Sequence, residues 1–281
     1  MIFDAHVHTF TPTVCSDKEV YHGDRHFFYL NGDPNAKIIG WESMLASMDE
    51  SKIDKCISMG FPWYKEDFAQ EQNLYFSELH KKSKKRIFPF GTVPINAKGD
   101  EEIWVKEIKK MGLFGIGEVG FYLEGLTNHN ENFLRNLLSA AEKYQLPVNL
   151  HVNEPVGHVY PGKYDPEFVK LYNILKDFQK VTIIFAHWGG GLFFYELMPE
   201  VKEIFKNFYY DTAASPFLYD DKIYRVASEI IGSEKILFGS DGPLIKFSKY
   251  ITAIKQKIKN KNDQQNIFEL NANRIIGKKE K

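Results

Sequence analysis

The chain has 281 residues, 43% hydrophobic and 15% aromatic, so it can bury a large core and is not a disordered polymer. Its 36 basic and 37 acidic residues leave a formal charge of −1, which provides no global field for nucleic acid or a membrane surface. The two cysteines, Cys15 and Cys56, form no CxxC pair and are too few for a disulfide-stapled fold, so a reducing, cytoplasmic setting is expected.

The chain opens on MIFDAHVHTF, with neither the basic nor the apolar region of a signal peptide. No stretch approaches the roughly 18 apolar residues needed to span a bilayer. Short runs rich in Ile, Val, Phe and Tyr predict strands over residues 2–7, 53–59, 87–93, 115–119, 148–152, 181–186, 208–211 and 236–239. Segments of mixed apolar and charged faces between them predict helices over 41–50, 68–81, 101–111, 132–144, 166–178, 195–206, 221–231 and 248–259, and a last one over 265–276. The third is typical, with Glu101 and Glu102 in its first turn and Lys109 and Lys110 in its last, matching the helix dipole. The basic run 81–86 reads as a solvated helix end.

Strict strand–helix alternation predicts an α/β fold, a (β/α)8 TIM barrel, over an open doubly wound sheet. No Pro/Gly/Ser-rich linker interrupts it, so one domain over residues 1–281 is the simplest account. The longest irregular stretch, 10–40, reads as a functional loop over the barrel mouth. The segment GIGEVG at 115–120 fits GxGxxG, but its glycines lie within and just after a strand, and no helix follows at once. That argues against a dinucleotide site.

The polar residues ending the predicted strands are more informative. His6 and His8 end the first, Glu118 the fourth, His151 the fifth (PVNLHVNEP), His187 the sixth (VTIIFAHWGGG), Asp211 the seventh (FYYDTAAS) and Asp241 the eighth (ILFGSDGPL). Strand alternation puts His6 and His8 on one face. In a barrel, all these ends converge on one mouth, and imidazoles with carboxylates there make a ligand set for a divalent ion. Singly, each has an ordinary reading: Glu118 as an ion-pair partner, Asp211 as a cap, and Asp241 before Gly242-Pro243 as a turn former. Convergence of the whole set favours a metal site.

This ordered set resembles the amidohydrolase superfamily. FAHWGGG and ILFGSDGPL are most similar to the amidohydrolase-related (amidohydrolase 2) branch, and GIGEVG resembles the TatD-like hydrolases at strand four. The resemblance implies that His6, His8, His151 and Asp241 are metal ligands, with His187 beside them as an acid/base or orienting group. In two-metal members the residue ending strand four bridges the ions. Glu118 holds that place, with His151 and His187 then binding the second metal. One ion is favoured over two, and zinc over manganese.

The implied chemistry is hydrolysis of a carboxylic ester, lactone or amide of a small metabolite. Asp241 takes a proton from water, and His187 holds or protonates the developing oxyanion. The alternative is a lyase, a nonoxidative decarboxylase of an aromatic or unsaturated acid. A nuclease fits the neutral charge poorly, and a metal-binding sensor has no need of a proton-transfer group. Arg25, in the long first loop with His22 and His26, is a candidate for a substrate carboxylate. Tyr122, Glu154 and Trp188 are candidates for substrate contact. The expected partner is a small molecule, not nucleic acid or membrane. The aromatic runs 193–195 and 208–210 can serve a homodimer surface or the core.

Overall fold

The computed structural model describes residues 1–97, 99–243 and 246–277. Eight strands run parallel in the order of the chain: β1 (Phe3–His8), β2 (Lys55–Met59), β3 (Ile87–Gly91), β4 (Gly115–Val119), β5 (Val148–Leu150), β6 (Ile183–Phe185), β7 (Phe208–Asp211) and β8 (Ile236–Leu237). Each pairs with the next. The ring is closed between its first and last members by Ala5 N–H to the Phe238 carbonyl (2.6 Å), Asp241 N–H to His6 (2.9 Å) and His8 N–H to Gly242 (2.8 Å). The expected TIM barrel is therefore the fold. These closing bonds join the strand ends that carry His6, His8 and Asp241.

Helices alternate with the strands because their apolar faces need the outside of the barrel. Helices α1 (Pro12–Ser16) and α2 (Arg25–Asn31) precede α3 (Trp41–Ser51) and α4 (Glu66–Lys82). Next come α5 (Glu101–Lys110) and α6 (Asn128–Tyr144). Thr127 caps α6 by accepting from Asn130 N–H (3.3 Å), and Val105, Ile108, Phe133 and Leu137 are buried in the main core.

The first connection is more ordered than its sequence predicts. Residues 10–40 hold α1, a 3-10 turn (Lys18–Tyr21) and α2. Phe10, Val14, Tyr21 and Phe27 build a small core with Phe61 and Trp63 from the next strand's loop. Phe27 stacks on Trp63 at 5.0 Å. Asp24, fully buried, caps α2 through the His26 and Phe27 N–H groups and also accepts from Tyr64 N–H (2.7 Å) and Lys65 N–H (2.8 Å). One carboxylate thus ties the first loop to the second.

Three predicted helices come out shorter. The 195–206 helix occupies only Pro199–Ile204 (α8), because residues 187–191 have positive φ and a 3-10 stretch follows them. The 166–178 helix begins at Phe168 and ends at Leu175 (α7). After α9 (Ser215–Leu218), α10 (Lys222–Ile231) and α11 (Phe247–Lys257), the 265–276 segment divides into the end of α12 (Lys261–Gln265), a π turn (Asn266–Leu270) and α13 (Asn271–Gly277). Ala272, Ile275 and Ile276 of α13 pack with Phe3, Ala5 and Leu237 of β1 and β8. Among the described residues, no helix is long and apolar enough to cross a membrane.

Candidate active site

The ends of β1, β4, β5, β6 and β8 bring six ligand-type side chains together in two groups. The first is His6, His8 and Asp241. His6 is fully buried, and its Nδ1 donates to Asp211 Oδ2 at 2.7 Å. An ionised carboxylate can only accept, so Nδ1 carries a proton and Nε2 is the nitrogen left to face the site. That Nε2 faces His8 Nε2 at 3.1 Å and Asp241 Oδ1 at 3.8 Å, and His8 Nε2 lies 3.3 Å from the same oxygen. Burial alone would lower the His6 pKa, but the charge of Asp211 and its hydrogen bond, helped by Glu118 and Asp241, raise it to about 10. Burial works against ionised Asp241 as well. The His8 hydrogen bond and the His6 charge win and hold it at about 2.

The second group is Glu118, His151 and His187. His151 Nδ1 lies 2.9 Å from Glu118 Oε1 and 3.2 Å from His187 Nε2, and the last pair is 3.5 Å apart. His187 is fixed from behind, Nδ1 donating to the Ala213 carbonyl at 3.2 Å, so Nε2 is the atom presented to the site. Burial disfavours its charged form, yet Glu118 and Asp241 bring its pKa up to about 9. Burial outweighs the same carboxylate at His151, whose pKa is lowered. Burial opposes ionised Glu118 too, but His151, His187 and His6 hold its pKa well below the ordinary carboxylate value.

Glu118 joins the two groups. Its Oε1 belongs to the second, while Oε2 lies 3.5 Å from His8 Nε2 and 3.9 Å from His6 Nε2 and accepts from the Tyr122 hydroxyl at 3.2 Å. Bonds of about 2.0–2.1 Å to one ion put neighbouring ligand atoms about 3.0–3.4 Å apart. The spacings of 3.1, 3.3 and 3.8 Å in one group and 2.9, 3.2 and 3.5 Å in the other lie near that range. The donors are imidazole nitrogens and carboxylate oxygens that converge in two groups of three. The residues therefore fit a divalent ion.

His8, Glu118, His151, His187 and Asp241 form the floor of a cavity of about 460 Å3, within the about 300–1,000 Å3 common for small-molecule sites, and His6 lies buried beneath it. Phe10, Leu30, Phe61, Phe217 and Leu218 are its apolar walls, and Lys37, His158 and Tyr160 also line it. The backbone around His187 is set by a run of positive φ from His187 to Gly191. At Gly190 (φ 59°) a Cβ would stand 2.1 Å from the Asn153 carbonyl oxygen, so only glycine allows this segment to lie against the end of β5.

Of the substrate-contact candidates, Tyr122 lines the cavity and the other three do not. Arg25 turns away, its guanidinium paired with Glu124 and stacked on Tyr64 at 4.7 Å. Trp188 is completely buried and donates to Ser215 Oγ at 2.8 Å, which makes it core rather than wall. Glu154 lies behind the lining, accepting from the Tyr160 hydroxyl at 3.1 Å. Sequence reasoning missed Lys37. It placed Asp211 among the converging strand ends but gave it no role at the site; the carboxylate takes four hydrogen bonds: from His6 Nδ1, Asn149 Nδ2 (3.2 Å) and the N–H groups of His187 and Ala213 (both 3.0 Å). The signal was present, since Asp211 ends β7 as the ligands end their strands.

A family model described as amidohydrolase matches residues 3–278. The chain belongs to the amidohydrolase family. The chain shares its fold with 5-carboxyvanillate decarboxylase from Sphingomonas paucimobilis (TM-score 0.77, 15% identity, 98% of each chain covered). It is also similar to the 5-carboxyvanillate decarboxylase of Novosphingobium aromaticivorans, solved with manganese and 4-hydroxy-3-methoxy-5-nitrobenzoic acid (TM-score 0.76, 13% identity, 99% of this chain and 96% of that one). A third similar structure is a probable 2-pyrone-4,6-dicarboxylic acid hydrolase from Acinetobacter baumannii (TM-score 0.63, 18% identity, 98% and 99%). No curated protein sequence matches. At these identities the structures share the architecture, and the chemistry rests on the site.

Proposed function

We propose that this amidohydrolase is a metal-dependent hydrolase that cleaves an ester, lactone or amide bond in a small, largely planar acid. The observation that carries the reading is the donor geometry of the floor: His6, His8 and Asp241 face one spot and Glu118, His151 and His187 another, with one oxygen of Glu118 toward each. Carboxylates beside a divalent ion are what removal of a proton from water and its return to a leaving group require.

His6, His8 and Asp241 would hold one ion and His151 and His187 a second, with Glu118 between them. This departs from the single ion favoured by the sequence, because the two oxygens of Glu118 face different groups. A nitrogen and oxygen donor set without thiolate suits zinc or manganese, and manganese is the ion in the similar Novosphingobium enzyme. When bound, the metal supplies Lewis acidity to a carbonyl oxygen or a water. Asp241 accepts the proton of the attacking water. Asp241 then returns that proton to the departing oxygen or nitrogen, while His187 stays in place with its ring held by the Ala213 carbonyl and its backbone N–H by Asp211. The Phe10, Phe61 and Phe217 walls exclude bulk water and favour a flat substrate.

A second reading is decarboxylation. It is favoured by His187, an acid on the floor that could protonate the carbon losing CO2, and by the likeness in fold to decarboxylases. The two separate on product. Metal-loaded protein is incubated with aryl esters, lactones and anilides of small acids in one set and hydroxybenzoates in the other. Chelator-sensitive acid production supports hydrolysis, and chelator-sensitive CO2 release overturns it in favour of the lyase.

A further inference from the structure

The segment GIGEVG at 115–120 builds no dinucleotide site, and its last glycine has another use. At Gly120 the three atoms nearest to an added Cβ all belong to Tyr122: Cζ at 2.6 Å, Cε1 at 2.8 Å and the hydroxyl oxygen at 2.9 Å. The Tyr122 ring thus folds back over the residue that follows β4, and a side chain at position 120 would push it away. His151 packs against the same ring edge to face, with centroids 4.9 Å apart and planes at 78°. A Cβ at Gly162, on the β5–α7 loop, would stand 3.5 Å from Tyr122 Cδ1, so that loop is in contact with the ring as well. The ring is buried and held on several sides.

Held in this way, the phenol reaches back to Glu118. Burial and the Glu118 charge push its pKa well above the ordinary value, so the hydroxyl keeps its proton and donates to Oε2 at 3.2 Å. Oε2 is the oxygen turned toward His8 (3.5 Å) and His6 (3.9 Å), whereas Oε1 is turned toward His151 (2.9 Å) and His187 (3.5 Å). A carboxylate can give its two oxygens to two ions or both to one. Rotation of the Glu118 carboxylate would withdraw Oε2 from the first group, and the Tyr122 hydroxyl, closer to Oε2 than either imidazole, opposes it. Each carboxylate oxygen accepts at about two lone-pair sites, so this hydrogen bond leaves one free for an ion. We propose that Tyr122 is a positioning residue that divides the Glu118 carboxylate between the two ligand groups, so that the site holds a linked pair of ions, and that Gly120 admits its ring. This rests on the reading of the floor as a metal centre and adds what makes that centre a pair.

The test reads the metal directly. Protein reloaded with manganese is assayed for ions per chain, for affinity by competition with a chromophoric chelator, and by electron paramagnetic resonance, in which two ions bridged by a carboxylate couple and isolated ions do not. The wild-type protein is expected to hold two coupled ions. Tyr122→Phe keeps the ring and removes the hydroxyl. It should weaken one ion by about 10- to 100-fold, leave the other at native affinity and replace the coupled signal by that of isolated ions. Gly120→Ala should do the same, and should add nothing to Tyr122→Ala, because the two changes act through one ring. Two coupled ions at native affinity in Tyr122→Phe overturn the proposal and leave the metal reading standing. Equal weakening of both ions, as general damage to the floor would give, also overturns it, and so does a wild-type protein that holds a single ion. A further loss on adding Gly120→Ala to Tyr122→Ala overturns the role given to Gly120. Absence of metal uptake by the wild-type protein overturns the reading of the floor and this proposal with it.

Discussion

Replacing Asp211 by Asn keeps the shape of the side chain and removes the charge that organises the site. In the native protein Oδ1 accepts from the backbone N–H groups of His187 and Ala213, and Oδ2 accepts from His6 Nδ1 and Asn149 Nδ2. An asparagine can satisfy only one side with its oxygen. If the oxygen keeps the two backbone N–H groups, the amide NH2 faces His6 Nδ1, and the imidazole must accept there and carry its proton on Nε2, the atom aimed at His8 and Asp241. A ligand nitrogen is then blocked by a hydrogen. Loss of such an orienting partner costs about 10- to 100-fold in metal affinity, or about 1.4–2.8 kcal/mol. The opposite amide orientation leaves two buried N–H groups facing NH2, at about 1–3 kcal/mol each in stability. Competition titration against a chromophoric chelator, with thermal melting of the metal-free protein alongside, separates the two costs. Native metal affinity and native melting in Asp211→Asn would refute the claim that this carboxylate sets the His6 tautomer.

Three further outcomes follow from the same geometry. Gly190→Ala places a Cβ 2.1 Å from the Asn153 carbonyl oxygen in a left-handed backbone. It should cost at least about 3 kcal/mol and lower the melting midpoint by roughly 6 °C or more, read by calorimetry. In the metal-free protein, His6 and His187 titrate at about 10 and about 9, above the ordinary 6.5. Their contribution to stability is complete below 6.5 and is lost as pH rises through 9 to 10, so the chelated protein should melt progressively lower across that window, and a flat profile would count against the assigned charges. Because these imidazoles must lose protons to bind an ion, metal uptake near neutral pH should release protons, seen as a calorimetric heat that changes with the buffer's ionisation enthalpy.

Much of the barrel was legible because burial on both faces makes each strand a short apolar run, as in 115–119 and 208–211, which match β4 and β7 residue for residue. The floor was legible for a related reason, since His6, His8, Glu118, His151, His187 and Asp241 interrupt or end those runs with polar side chains. What the sequence hid depends on distant partners. Arg25 and Lys37 are both cations on the first connection. Only the folded positions of Glu124 and Tyr64 show that Arg25 is occupied while Lys37 remains open to the cavity. Trp188 looked like a wall because it follows His187, but the left-handed backbone there turns it into the core. The order of residues 10–40 was hidden in the same way, since the Asp24 carboxylate finds its partners at Tyr64 and Lys65, far along the chain.

Metal content per chain tests the central claim most directly. Elemental analysis of protein purified without chelator and reloaded with zinc or manganese should give about two ions per chain, with one lost in His6→Ala/His8→Ala and the shared position weakened in Glu118→Gln. A chain that takes up no divalent ion after reloading, while melting as a folded protein, would contradict the account of the floor as a metal centre.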